Sequence, residues 1–206
     1  MPTTLKLLRS CSIEAGRIYV DGHCVFTGTQ AEFSAFSTAA YKALELDYPK
    51  FHRMDNLSKL GFLTAECLLS GGILPAGFEA DQTGIVVANA HSSTDTDLRY
   101  NAQVQQSVAS PALFVYTLPN IVLGEICIRH GLKGENTLFV AEQYDAKTQV
   151  EYVTSLFEQQ LLDRCVGGWV DFYNTQYRAF FYLAALSTEP SLPEYKTASV
   201  AALFNS

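Results

Sequence analysis

The stretch "LKGENTLFVAEQYDAKTQ", residues 132–149, reads as a buried strand that runs straight into a helix. Thr137, Leu138, Phe139 and Val140 form its β-favouring core, an unbroken run of β-branched, aliphatic and aromatic side chains. Asp145 then offers an N-cap, and Val150, Val153 and Phe157 recur at helical spacing. Many enzymes mount a nucleophile at such a strand-to-helix corner, because the free amides of a helix N-terminus stabilise developing negative charge. Here the corner carries Glu142, Gln143 and Tyr144, with no cysteine or serine. On spacing alone, Gln143 is a polar residue at a helix start.

Strand and helix signals alternate on both sides of this corner. "TGIVVANA" (83–90) is a short continuous apolar run, as expected of a central strand buried on both faces. "SPALFVYTLPNIVLGEICIRHG" (110–131) predicts an extended lead-in, then a helix with Pro119 in its first turn and Gly131 past its end. That helix is apolar nearly all round, which places it deep in the core. "RCVGGWVDF" and "YRAFFYLAALS" follow as strands, and the paired glycines in the first suggest close approach by another backbone. Towards the N-terminus, "RIYVDGHCVFT" alternates around an Asp21-Gly22 turn. "AEFSAFSTAAYKALEL" suggests a first helix, and a second has Asp55 or Asn56 as cap and Gly71-Gly72 as its stop. The pattern predicts an α/β fold with a largely parallel or βαβ-rich layered sheet. Residues 1–206 are expected to form one domain, with a polar, proline-containing tail from about residue 188.

Composition narrows the function. A chain of 206 residues, 48% hydrophobic and 17% charged, can bury roughly 70% of its unfolded surface. The low charge fraction hints at a surface covered by a partner. A formal charge of −7 with no basic stripe argues against nucleic acid as a partner. The five cysteines are widely spaced, odd in number and form no CxxC pair, so buried free thiols are expected. The N-terminal residues lack a signal-peptide core, and the apolar run "AFFYLAAL" is too short to span a bilayer. The expectation is a soluble, cytoplasmic protein without membrane insertion.

Other candidates for chemistry are weaker. "AHSSTDTD" gathers His91, Ser92, Ser93, Asp95 and Asp97, but catalytic triads draw their members from separate loops, so a solvated loop with helix caps is expected. His130 sits where a helix dipole favours it, and His23 and His52 have no metal-ligand spacing. No GxGxxG or Walker-type loop is present.

From Ser110 onward the chain resembles the β-ketoacyl synthase branch of the thiolase superfamily. The progression is Ser110-Pro111, Asn120, Gly124, Gly131-Leu132-x-Gly134, and finally Gln143 where that family places its nucleophilic cysteine. The resemblance extends more loosely over residues 80–186. It implies one βαβ-rich half of the duplicated thiolase fold, with a buried helix and a mixed sheet. It also implies that Gln143 replaces the catalytic thiol, since an amide cannot be deprotonated to a thioester-forming nucleophile. The family's paired histidines follow its nucleophile, whereas all four histidines here precede Gln143, so the second half of the fold is expected to be absent.

Glutamine in the cysteine seat is similar to the chain length factor, the inactive partner of a type II ketosynthase; truncated factors of this kind belong to aryl-polyene-type pigment synthesis. The resemblance implies a heterodimer with a β-ketoacyl synthase, indirect use of an acyl carrier protein, a homodimer when alone, no cofactor and no metal. It makes Leu113, Phe114, Asn120, Phe139, Gln143 and Tyr144 the candidates for acyl-tunnel or dimer contact, and residues 137–141 the strand that pairs across the dimer. Gln143 is expected buried, satisfied by hydrogen bonds at both ends of its amide. The alternatives are a small hydrolase using Ser92 or Ser93 on a half-thiolase scaffold, or a self-associating scaffold module.

Overall fold

The computed structural model describes residues 3–30 and 32–205. Its strands β1 (Thr4–Glu14), β2 (Arg17–Val20), β3 (His23–Thr27), β4 (Thr83–Asn89), β5 (Asn136–Val140), β6 (Arg164–Tyr173) and β7 (Gln176–Ser187) form one sheet, ordered β3-β2-β1-β7-β6-β4-β5. The sheet is mixed rather than largely parallel. β4 pairs in parallel with β5 and β6, and the rest, from β6 across to β3, is antiparallel. β4 is buried at every position, as its unbroken apolar run predicts.

Helices α1 (Phe33–Ala43), α2 (Asn56–Leu69) and α5 (Ile121–His130) cover one face of the sheet. Asp55 caps α2, accepting from Ser58 N at 2.8 Å and from Thr96 Oγ1 at 2.6 Å. That second bond ties in α3 (Thr94–Gln105). Gly131 ends α5 in the left-handed conformation, φ 71°, as the C-cap position requires. α6 (Ala146–Glu158) covers the opposite face, where Val150, Val153, Leu156 and Phe157 form a second core with Val86 and Phe180. The sequence-level glycine pair lies in β6. A Cβ at Gly168 would stand 1.9 Å from the Phe180 carbonyl oxygen, and one at Gly167 would stand 2.3 Å from the Tyr182 ring.

Several expectations are corrected. The lead-in to α5 is helical, not extended: α4 (Pro111–Phe114), capped by Ser110, and a 3-10 turn over Val115–Thr117 precede it, and Pro119 lies before α5 rather than within it. α5 is buried on one side only, since Ile128 is 69% exposed. Residues 188–205 are not a loose tail. Pro193 O accepts from Leu7 N, Tyr195 N donates to Leu5 O, and α7 (Thr197–Phe204) buries Val200 on the α6 face. Finally, β5 is not a buried strand: it ends the sheet, paired only to β4, with its terminal residues exposed. The cysteines are free as expected but not all buried: Cys11, Cys67 and Cys165 are, whereas Cys127 is half-buried and Cys24, on the edge strand β3, is exposed.

Candidate functional site

The connections from the adjacent strands β4 and β5 leave on opposite faces of the sheet. The chain after β4 passes through α3, α4 and α5 on the α2 side, and the chain after β5 enters α6 on the other. Between two such strands a crevice opens beyond their C-terminal ends, which is where open α/β sheets bind ligands. Residues 90–93 follow β4 and residues 141–145 follow β5 at this end of the sheet. Ala141 N donates to Asn89 O at 2.9 Å and pins the two segments together at their base.

In the second segment, Asp145 caps α6 as predicted. Its carboxylate accepts from Lys147 N at 2.9 Å, Thr148 N at 3.3 Å and Thr148 Oγ1 at 2.6 Å. The bonds from Thr148 hold its carboxyl below the usual carboxylate range. Gln143 departs from expectation: it lies in this corner, but exposed in a bend rather than buried at the helix start. The buried amide is Gln149, one turn into α6. Its Nε2 donates to Val86 O at 3.0 Å and to Gly168 O at 2.9 Å, while Oε1 accepts from Tyr144 Oη at 2.5 Å and from Tyr182 Oη at 3.0 Å. Tyr182 Oη also meets Tyr195 Oη at 2.8 Å. Burial raises the pKa of all three phenols, so they stay protonated and able to donate.

Beyond Gln143 the crevice opens into a cavity of about 420 Å³ walled by Tyr144, Trp169, Arg178 and Phe204. Phe204 of α7 packs 4.5 Å from the Tyr144 ring, and the Arg178 guanidinium lies over Phe204 at 4.2 Å and reaches its carbonyl. Trp169 and Arg178 also wall a second cavity of about 240 Å³ that reaches His91 in the first segment. A larger depression of about 530 Å³ lies elsewhere, over the open face of β1 and β2, lined by Ser10, Ser12, Glu14 and Tyr19.

The first segment is not the solvated loop expected. Ser93 is buried, its Oγ 3.0 Å from both Asp97 Oδ2 and Thr117 O, so it serves the fold and is closed to substrate. His91 Nδ1 lies 2.7 Å from Asp171 Oδ2. The remaining sequence candidates fall into two groups. Phe139, Gln143 and Tyr144 belong to the β5–α6 corner, with Phe139 edge-on to Tyr152 at 5.2 Å. Leu113 and Phe114 lie on α4 and Asn120 just before α5. Phe114 is 57% exposed and Asn120 exposed. No hydrogen bond or ring contact among the described residues joins the two groups. Gln149 was legible only as a polar residue inside the apolar stripe of α6, and Asp171 only as a charge inside a strand.

No family model and no curated protein matches the chain. Solved structures do match. Over 93% of this chain and 64% of the other, the fold superposes on the ishigamide ketosynthase/chain length factor, with a TM-score of 0.65 and 14% identity. The ketosynthase ApeO in complex with its chain length factor ApeC, from Xenorhabdus doucetiae, matches over 89% of this chain and 79% of that one, with a TM-score of 0.57 and 14% identity. AntDE:AntF, a type II acyl carrier protein in complex with its ketosynthase bound to the hexaketide, matches over 89% and 63%, with a TM-score of 0.59 and 10% identity. The chain has the thiolase-like ketosynthase and chain-length-factor fold. It spans less than two thirds of the length of the first of these structures. No single helix among the described residues is long and apolar enough to cross a membrane.

Proposed function

We propose that this chain is a non-condensing, chain-length-factor-like subunit, a single domain over residues 1–206 that pairs with an active β-ketoacyl-ACP synthase. The setting is type II fatty acid or polyketide synthesis of the aryl-polyene-pigment type, in the cytoplasm, with the acyl carrier protein engaged through the partner. One observation carries the reading: the free edge strand β5 leads directly into the corner that holds Gln143, the residue the resemblance puts in the nucleophile's place. A strand end with unpaired amides and carbonyls is a template for pairing with a second chain. An amide side chain at the corner leaves that chain to do the covalent chemistry. The shared fold with structures described as ketosynthase and chain-length-factor complexes supports the same assembly.

Phe114 and Leu113, on the exposed α4 turn, are the side chains assigned to the partner's acyl tunnel, and Phe139 and Val140 to the paired edge. The test is co-expression with the ketosynthase from the same gene neighbourhood, purified through a tag on the ketosynthase only. Stoichiometric recovery of this chain supports the assignment. A ketosynthase that purifies alone, beside a monomeric chain at micromolar concentration, refutes it.

A further inference from the structure

A histidine–carboxylate pair joins the segment after β4 to strand β6, and the role proposed for the chain does not use it. Asp171 Oδ1 accepts the backbone amides of Ala90 at 3.0 Å and His91 at 2.9 Å, which fixes the carboxylate. Its second oxygen, Oδ2, takes the 2.7 Å bond to His91 Nδ1. Because an ionised carboxylate only accepts, this bond assigns the proton to Nδ1 and leaves the lone pair of the neutral ring on Nε2. The ring is held from its face as well, stacked on Tyr173 at 4.6 Å with the planes 6° apart. Asp171 is largely covered while the His91 side chain is 44% exposed. The pair is thus a fixed base: oriented by a largely covered acceptor, braced by an aromatic ring and open to the cavity it lines.

We propose that His91 and Asp171 form a general-base dyad that activates water against an acyl ester or thioester lying in the cavity of about 240 Å³ that both residues line. Water is the nucleophile because Ser93 is sealed into the fold. As the water oxygen bonds to the acyl carbon, its proton passes to His91 Nε2, and Asp171 stabilises the imidazolium. Collapse of the tetrahedral adduct breaks the acyl carbon–oxygen or carbon–sulfur bond. His91 returns its proton to the leaving alkoxide or thiolate. The products are a carboxylic acid and an alcohol or thiol, with no change of oxidation state. The acyl chain has room in the adjoining 420 Å³ cavity, where Trp169, Tyr144 and Phe204 offer aromatic surface beside Arg178 and Glu142. This activity is independent of ketosynthase pairing, so either proposal can fail without the other.

The experiment measures hydrolysis of 4-nitrophenyl butanoate and of the S-butanoyl and S-octanoyl thioesters of N-acetylcysteamine by the purified full chain. General-base participation contributes roughly 10²–10⁴-fold, so His91→Gln should lose at least about a hundredfold of the rate above buffer. His91 is half-exposed, and an unchanged thermal melt of the variant confirms that the fold is kept. Asp171→Asn retains an oxygen for the two backbone amides but removes the acceptor for Nδ1. It should lower the rate at high pH less than at neutral pH. Ser191→Ala, exposed in the segment leading to α7, should hydrolyse at the wild-type rate. The proposal is overturned if the wild-type chain is no faster than buffer, if His91→Gln keeps its rate, or if a folded Ser92→Ala variant loses it, which would make Ser92 the nucleophile in place of water. A folded His91→Ala variant that regains rate with added imidazole supports the base role. Failure to regain rate in that variant argues that the ring is only a brace, and overturns the proposal.

Discussion

Gln149 Nε2 donates to the carbonyl of Gly168 at 2.9 Å, joining the buried side of α6 to strand β6. The same nitrogen holds Val86 O on β4, so one amide clips two neighbouring strands beneath the crevice. Its oxygen is the shared acceptor of Tyr144 and Tyr182. Gln149→Leu would leave two carbonyls and two phenols to find other partners in the core. At about 1–3 kcal/mol for each buried group left unsatisfied, the loss is expected to exceed roughly 3 kcal/mol. Urea unfolding followed by tryptophan emission checks this through Trp169, with Gln159→Leu on the exposed end of α6 as the control that should stay within about 0.5 kcal/mol of wild type.

Gly168 has a second reason to be irreplaceable. Its φ is 143° and a methyl group there would strike the backbone of β7, which cannot swing aside as a side chain tip can. Gly168→Ala is therefore expected to cost more than about 4 kcal/mol and to yield little soluble protein. Gly72→Ala, also at positive φ but with open space around it, should cost only about 1–2 kcal/mol. Equal expression and equal melting temperatures for the two variants would contradict the packing described for β6 and β7.

How much of this could be read beforehand differs by element. The strands β4, β6 and β7 were legible because burial on both faces demands unbroken apolar runs, and Asp55 and Asp145 because caps use few residue types. The α7 helix was not. A short, alanine-rich segment has little helical stability of its own, and it forms here because Tyr195, Val200 and Phe204 meet tertiary partners. Ile128 and Phe114 show another limit, since an apolar pattern does not distinguish a core position from an exposed one. The resemblance drew attention to Gln143 but not to its surroundings, and the buried, doubly bonded amide expected there is Gln149. The His91–Asp171 pair joins residues far apart in the chain, so no local spacing revealed it.

Acid sensitivity should centre on Glu66 of α2. Burial pushes its carboxyl up, but the His130 ring 3.2 Å away and the Arg129 guanidinium outweigh this and hold it below the usual range. Arg129 grips it at two points, Nε to Oε1 at 2.6 Å and Nη2 to Oε2 at 3.2 Å. A depressed folded-state pKa means the stabilisation is present above the unfolded value, near 4.5, and is lost as pH falls through the folded one. Asp55 has the opposite sign: burial raises its pKa, so its ionisation opposes folding as pH rises. Glu66→Gln should therefore flatten the fall in urea midpoint below about pH 5 and leave the slope above it unchanged. A variant that keeps the wild-type acid slope would remove Glu66 from this account.

Restoring a thiol at the corner should not restore condensation. Gln143 is exposed, and among the described residues no histidine lines the cavity beside it to polarise a thioester or drive decarboxylation. Purified Gln143→Cys is expected to be alkylated readily by iodoacetamide yet to form no carbon–carbon bond from malonyl and acyl carrier proteins. Condensation by this variant alone would show that the catalytic groups are present after all.

The sheet has two free ends, and they are not equivalent. β3 pairs with β2 through a register shift between Ile18 and Tyr19, an irregularity that discourages a further strand. β5 pairs with β4 in unbroken register from Asn136 to Val140, leaving a regular edge open. Val140, 57% exposed, lies at its end, whereas Phe139 packs against Tyr152 of α6, so a charge at Phe139 would damage the subunit itself. Val140→Lys is the cleaner probe: a lysine on an edge strand blocks strand addition at little cost to the free chain. It should weaken association with the ketosynthase, or with a second copy, by roughly tenfold or more, about 1.4 kcal/mol. Val25→Lys, equally exposed at the β3 end, should leave association unchanged by sedimentation velocity. If the two variants behave alike, β5 is not the pairing edge.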